Sequence, residues 1–196
     1  MSQIAPLDYR NSALIVWDMQ RRIALQAFNF RQIVPNIKKL IDIYHSAKMP
    51  VIYSQHTNVP YEYMTKPQIR SSMRRGIDPK TTQVMMENTP EWQFIDELPP
   101  SKQDLVVKKY SSSFFVGTMI DTMLRAKNVD TLVIVGVSTE FGVEATARHA
   151  NQLGYFSVVV EDAVGSADME MHEGSLRLMR KIFDVVRSQD IINALK

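Results

Sequence analysis

The 196-residue chain contains no cysteine. That one absence excludes disulfides, thiolate-bound zinc and cysteine catalysis together. No apolar run approaches the roughly 18 residues that a membrane span needs. The N-terminus carries no signal-peptide pattern, so a cytoplasmic protein without a membrane partner is expected. Phosphate-cradling loops of the Walker or GxGxxG type are missing. The histidines are His45, His56, His149 and His172, and none forms an HxH or HxxxH pair or stands in an Asp/His cluster. After the second strand there is no Asp between Pro50 and Ile77. A divalent metal site is therefore not expected, and neither is a cofactor. Internal repeats and low-complexity segments are also absent.

What remains is ordinary for one globular domain with a real core, spanning residues 1–196. The chain is 45% hydrophobic and 22% charged, with a formal net charge of +2. Its densest basic patch, Arg70–Arg75 (RSSMRR), reads as a solvated loop rather than a polyanion site, and no nucleic-acid partner is expected. The twelve methionines read as flexible core filling.

Five near-continuous apolar runs have the character of strands covered on both faces: 13–17 (ALIVW), 51–54 (VIYS), 105–108 (LVVK), 131–135 (TLVIV) and 157–160 (SVVV). A sixth, shorter candidate is 184–186. Helical spacing of apolar residues marks 33–47, 117–127, 141–153 and 169–183. Asn128 and Gly154 stand where two of these helices should end in left-handed caps. The alternation predicts an α/β fold: a doubly wound, mostly parallel six-stranded sheet with helices on both faces. The stretch 57–100 is polar, punctuated by proline and contains Trp92. It reads as a long excursion with one or two short helices near the C-terminal ends of the strands, a candidate lid and subunit interface.

Three places could carry chemistry. Asp18 ends the first strand, and a carboxylate half removed from water there suits general acid or base work; a helix N-cap is the alternative. Lys108 and Lys109 close the third strand, and alternation turns only one of them inward. An inward lysine would place positive charge where an oxyanion or substrate carboxylate sits. The third place is the turn Val137-Ser138-Thr139, followed by Glu140, Phe141 and Gly142. Amides at a helix N-terminus bind anions. Gly142 either lets a ligand approach the backbone or lets the helix pack closely on the sheet. His56 alone could still contact a small-molecule substrate.

Together these segments resemble the isochorismatase-like hydrolase superfamily, also called the cysteine hydrolases, over nearly the whole chain. ALIVWDMQ resembles the family's first strand with its catalytic Asp, here Asp18. VVKKYSSSFFVGTMIDTML resembles the lysine segment, whose lysine stands six residues before a Phe-x-Gly-Thr turn; counting back from Phe115 selects Lys109. LVIVGVSTEFGVEATARHA resembles the segment whose Gly-Val-x-Thr turn carries a cis peptide, here after Val137. GYFSVVVEDAVGSAD resembles the strand that follows.

The resemblance implies a substrate crevice formed by His56, Val137, Ser138, Thr139, Glu140 and Phe141 around Asp18 and Lys109. It also implies a homodimer or homotetramer. In amidase members the residue three after the turn's Thr is the nucleophilic Cys, and here that position is Gly142. Thiolate attack to an acyl-enzyme is therefore closed to this chain.

Isochorismatases proper hydrolyse a vinyl ether by protonation and water addition, and some carry Gly at this position. They also carry an aromatic-Ala-His triplet where this chain has Ser138-Thr139-Glu140, which points away from isochorismate as substrate. Asp18 would be the acid or base, Lys109 the electrostatic stabiliser, and Gly142 would make room for substrate. Glu140 is either a second, water-activating carboxylate or a plain first-turn Glu at the helix N-terminus. The implied activity is hydrolysis of a small carboxylate, enol-ether or amide-like metabolite without a cysteine. The competing expectation is an inactive relative that binds a metabolite or serves as an assembly subunit.

Overall fold

In the computed structural model, which describes residues 7–82 and 84–196, the apolar runs form one sheet. Its strands are β1 (Ser12–Trp17), β2 (Val51–His56), β3 (Leu105–Lys109), β4 (Thr131–Val137), β5 (Phe156–Gly165) and β6 (Asp184–Val186). They pair in the order β3-β2-β1-β4-β5-β6, every pair parallel. The expected doubly wound six-stranded sheet is the one observed.

β1 and β4 are buried along their whole length, which is why they read as unbroken apolar runs. β5 is longer than its apolar run. A register irregularity between Ile134 and Gly136 lets it continue through Glu161 and Asp162 to Gly165. Gly136 has φ +110°, and a Cβ there would stand 2.1 Å from the carbonyl oxygen of Trp17, so β1 and β4 pass as closely as they do only with glycine.

The helices are α1 (Arg21–Ala24), α2 (Phe30–Ser46), α3 (Lys66–Arg74), α4 (Ile120–Ala126), α5 (Glu144–Gln152), α6 (Met169–Met179) and α7 (Ser188–Ala194). α2 buries Ile33, Ile37, Leu40 and Tyr44 on one face of the sheet, together with Ile191 of α7. α4, α5 and α6 bury Ile120, Leu124, Ala147 and Leu176 on the other. Asn128 (φ 54°) and Gly154 (φ 88°) follow α4 and α5 in the left-handed conformation that ends a helix. The helix expected over 141–153 divides: a π-helical turn, Thr139–Val143, leads into α5. Among the described residues no helix is long and apolar enough to cross a membrane.

The excursion between β2 and β3 contains α3, whose N-terminus is closed by a reciprocal Thr65–Gln68 capping box. The chain turns from the β1-β2-β3 half to the β4-β5-β6 half between β1 and β4. The crevice beyond the carboxyl ends of those two strands is where such sheets bind ligands.

Candidate active site

Asp18 follows β1 directly, and its left-handed backbone (φ 42°) turns the chain across the end of the sheet. Its amide donates to Ser54 Oγ of β2 at 3.0 Å, and that hydroxyl donates to Asp18 Oδ1 at 2.6 Å. From β3, on the far side of β2, Lys109 Nζ donates to Asp18 Oδ2 at 2.7 Å. The side chains are 1% (Lys109) and 6% (Asp18) exposed, so the ion pair is desolvated. Lys109 Nζ also reaches the Ser111 carbonyl at 3.2 Å and His56 Nδ1 at 3.4 Å, and lies 4.1 Å from the centroid of the Trp17 ring. Burial pulls the Lys109 ammonium below its ordinary range, against the opposing attraction of Asp18. Lys108, one residue earlier, points the other way: it pairs with Glu87 and lies over Trp92. Alternation along the strand therefore separates the two lysines, and the inward one is Lys109.

His56 stands between this pair and open space. Asn58 Nδ2 donates to the Val84 carbonyl, which orients the amide so that its oxygen faces His56 Nε2 at 3.0 Å. Nε2 then carries the proton, and Nδ1 accepts from Lys109. Burial, followed by the Lys109 charge, lowers the pKa of the ring from 6.5 and keeps it neutral. Two cavities, of about 250 and 310 Å³, share His56, Asn58 and Arg75 in their walls. The larger is completed by Gln68, Tyr110, Ser111 and Phe141. Neither Asp18 nor Lys109 is part of the wall of either cavity. The basic patch, expected as a solvated loop, is instead the C-terminal part of α3 with its cap: Arg70, Arg74 and Arg75 are all exposed, and Arg75 also lines both cavities.

The turn after β4 contributes less to these walls than its sequence suggests. The Val137–Ser138 peptide bond is cis. Val137 is buried in the core. Thr139 is also buried; its hydroxyl donates to the Gly165 carbonyl and meets His172 Nδ1 at 2.8 Å. Glu140 Oε1 accepts from Ser166 Oγ at 2.8 Å, while its Oε2 is buried with no partner among the described residues. The amides of Phe141 and Val143 both turn back onto the Ser138 carbonyl, so part of the expected anion cradle is already used. Of the residues expected to bind substrate, His56 and Phe141 reach a cavity wall; Val137, Ser138, Thr139 and Glu140 do not.

The room expected beside Gly142 is filled. A Cβ built on Gly142 would stand 1.9 Å from Trp17 Nε1 and 2.1 Å from Cε2. Trp17 is itself buried, with Phe114 packed edge-on at 5.7 Å. Close packing, rather than ligand approach, accounts for the glycine.

Ser54, Trp17 and Asn58 were not singled out from the sequence, and Arg75 was noted only as part of the basic patch. Ser54 carried a signal, being a hydroxyl at the end of the apolar run of β2. Trp17 carried none, since it looks like one more apolar residue of β1. Among the described residues no three His, Cys, Asp or Glu side chains converge as a metal site.

The sequence model described as the isochorismatase domain matches residues 12–191. The chain is 32% identical over 177 residues to the uncharacterized isochorismatase family protein YwoC of Bacillus subtilis, covering 88% of this chain and 87% of that one. It is 31% identical over 216 residues to the ureidoacrylate amidohydrolase RutB of Acinetobacter baylyi, covering 99% and 86%. The fold superposes on the crystal structure of a cysteine hydrolase from Pseudomonas syringae pv. phaseolicola with a TM-score of 0.86 at 26% identity, covering 100% of this chain and 98% of the other.

Proposed function

Because the chain belongs to the isochorismatase family, we propose that it hydrolyses a small carboxylate, enol-ether or amide-like metabolite without a cysteine nucleophile. The observation that carries this reading is the desolvated Asp18–Lys109 pair, joined at 2.7 Å beneath the cavity wall. Taking both charges out of water is costly, and a centre that keeps them holds a proton acceptor and a fixed positive charge in a low-dielectric setting. Substrate occupies the cavity bounded by His56, Tyr110, Ser111 and Phe141. It reaches Lys109 by displacing His56 Nδ1, the longest of the three hydrogen-bonding contacts at 3.4 Å.

For an amide, Asp18 takes a proton from water as it attacks the carbonyl carbon. The developing oxyanion faces Lys109, and the C–N bond then breaks with return of the proton to the leaving nitrogen. For an enol ether, a proton of Lys109 passes through Asp18 to the vinylic methylene, water adds to the oxocarbenium ion, and the proton it releases returns to the pair. The hemiketal then collapses to a ketone and an alcohol. Gly142 marks the place of the nucleophile in cysteine-dependent relatives, so neither route passes through an acyl-enzyme.

One observation favours a second reading, a metabolite-binding protein without turnover. All three donors of Lys109 are already engaged by the protein, and neither charge lines a cavity. Turnover separates the two. The panel is ureidoacrylate, other N-carbamoyl acids, nicotinamide, maleamate, isochorismate and other enol-pyruvyl ethers, with Asp18→Asn and Lys109→Ala as controls. Turnover by the wild type that both variants lose supports the hydrolase. Binding of a panel member by calorimetry, without turnover, supports the second reading.

A further inference from the structure

We propose that Trp17 takes the volume that a nucleophile at position 142 would need. Trp17 and Gly142 then form an interlocked pair that bars covalent catalysis and leaves water as the attacking group. The inference rests on the reading of Gly142 as the nucleophile position, and it adds the residue that enforces the change.

Two contacts carry it. The Nε1 edge of the indole stands 1.9 Å from where a Cβ of residue 142 would be, well inside any real carbon–nitrogen contact. The face of the same ring lies 4.1 Å from Lys109 Nζ, measured to its centroid. One side chain thus spans from the vacant position to the charged pair. Neither partner can yield cheaply. Trp17 is the last residue of buried β1, with its backbone paired to Gly136, and Phe114 backs its ring. Gly142 lies buried in the π-helical turn. In a close-packed interior such an overlap is relieved only by moving backbone or forcing a rotamer.

A cysteine restored at 142 alone would therefore not restore a nucleophile. The indole must be shortened as well. In a Trp17→Leu, Gly142→Cys double variant the chain's only thiol would take the space the indole leaves.

The test is a double-mutant cycle read by thermal unfolding, which needs no substrate. Gly142→Ala in the wild type should lower Tm by about 5–10 °C. In the Trp17→Leu background the same change should lower it by no more than about 2 °C. An unchanged Tm for Gly142→Ala in the wild type, or equal losses in both backgrounds, overturns the interlock. Failure of the wild type to turn over any substrate refutes the hydrolase reading alone, because the Tm cycle does not depend on it.

Discussion

Replacing Lys109 by Met keeps the length of the side chain and removes its charge. Asp18 would be left as a carboxylate 6% exposed, with its Oδ1 still bonded to Ser54 Oγ at 2.6 Å and its Oδ2 facing no cation. Removing one member of a buried pair costs about 3–5 kcal/mol, because the survivor is stranded out of water. Against an ordinary domain stability of about 5–15 kcal/mol, that is a large fraction. For a chain of this size it amounts to a fall in Tm of roughly 6–20 °C. The Asp18→Asn, Lys109→Met double variant removes both charges and should recover at least about 2 kcal/mol relative to the sum of the single losses. Urea unfolding at pH 7 followed by far-UV circular dichroism measures all three variants on one scale. If Lys109→Met costs less than about 1 kcal/mol, the pair behaves like a solvent-exposed bridge, and the desolvated centre on which the proposed chemistry rests does not exist.

Acid should also weaken the fold. His56 and His172 are both held neutral, with pKa lowered from 6.5, chiefly by burial. The unfolded chain therefore binds more protons just below pH 6.5, so stability present above that pH is lost as pH falls through the folded values. Tm measured from pH 7 to pH 5 should decline, and His56→Gln should flatten part of the slope. Arg75, exposed and with no ion-pair partner among the described residues, lines both cavities beside His56. Arg75→Gln should weaken binding of a carboxylate ligand about tenfold by calorimetry, with Tm within about 1 °C of wild type. Unaltered affinity would remove Arg75 from substrate recognition.

The sheet was legible where short β-branched apolar runs stood out, in the wholly buried β1 and β4 and also in the part-buried edge strands β3 and β6. The span 184–186 was read to the residue, and β1 and β4 were missed only at their ends. β5 was read too short because Glu161 and Asp162 break its apolar run; the irregularity that carries it onward is a property of its pairing with β4. α7 went unread because Ser188–Ala194 is short, with a stripe of only Ile191 and Ile192 in the core. At the site, Asp18 and Lys109 were legible as charges ending apolar strands. The contact between Trp17 and Gly142 was not, since it spans 125 positions and exists only because β1 and β4 lie side by side. A residue that reads as core can decide the chemistry when the register aims it at a turn.

The excursion from 57 to 100 is fastened to the sheet at its far end. Gln20, wholly buried, donates to the carbonyls of Trp92 (2.7 Å) and His56 (3.0 Å) and accepts from the His56 amide (2.8 Å). Trp92 Nε1 donates to Thr57 Oγ1, the Arg21 amide to the Gln93 carbonyl and the Ile95 amide to the Met19 carbonyl. Residues 92–95 are thus stitched across the ends of β1 and β2, while most of the cavity-facing residues of the excursion precede them. Variation between Val59 and Thr89 can accordingly reshape what the protein admits without passing through the strap that holds Met19, Gln20 and Arg21, the residues that follow Asp18. Natural selection, or a library confined to those positions, can exchange one clientele for another while the machinery underneath is inherited intact.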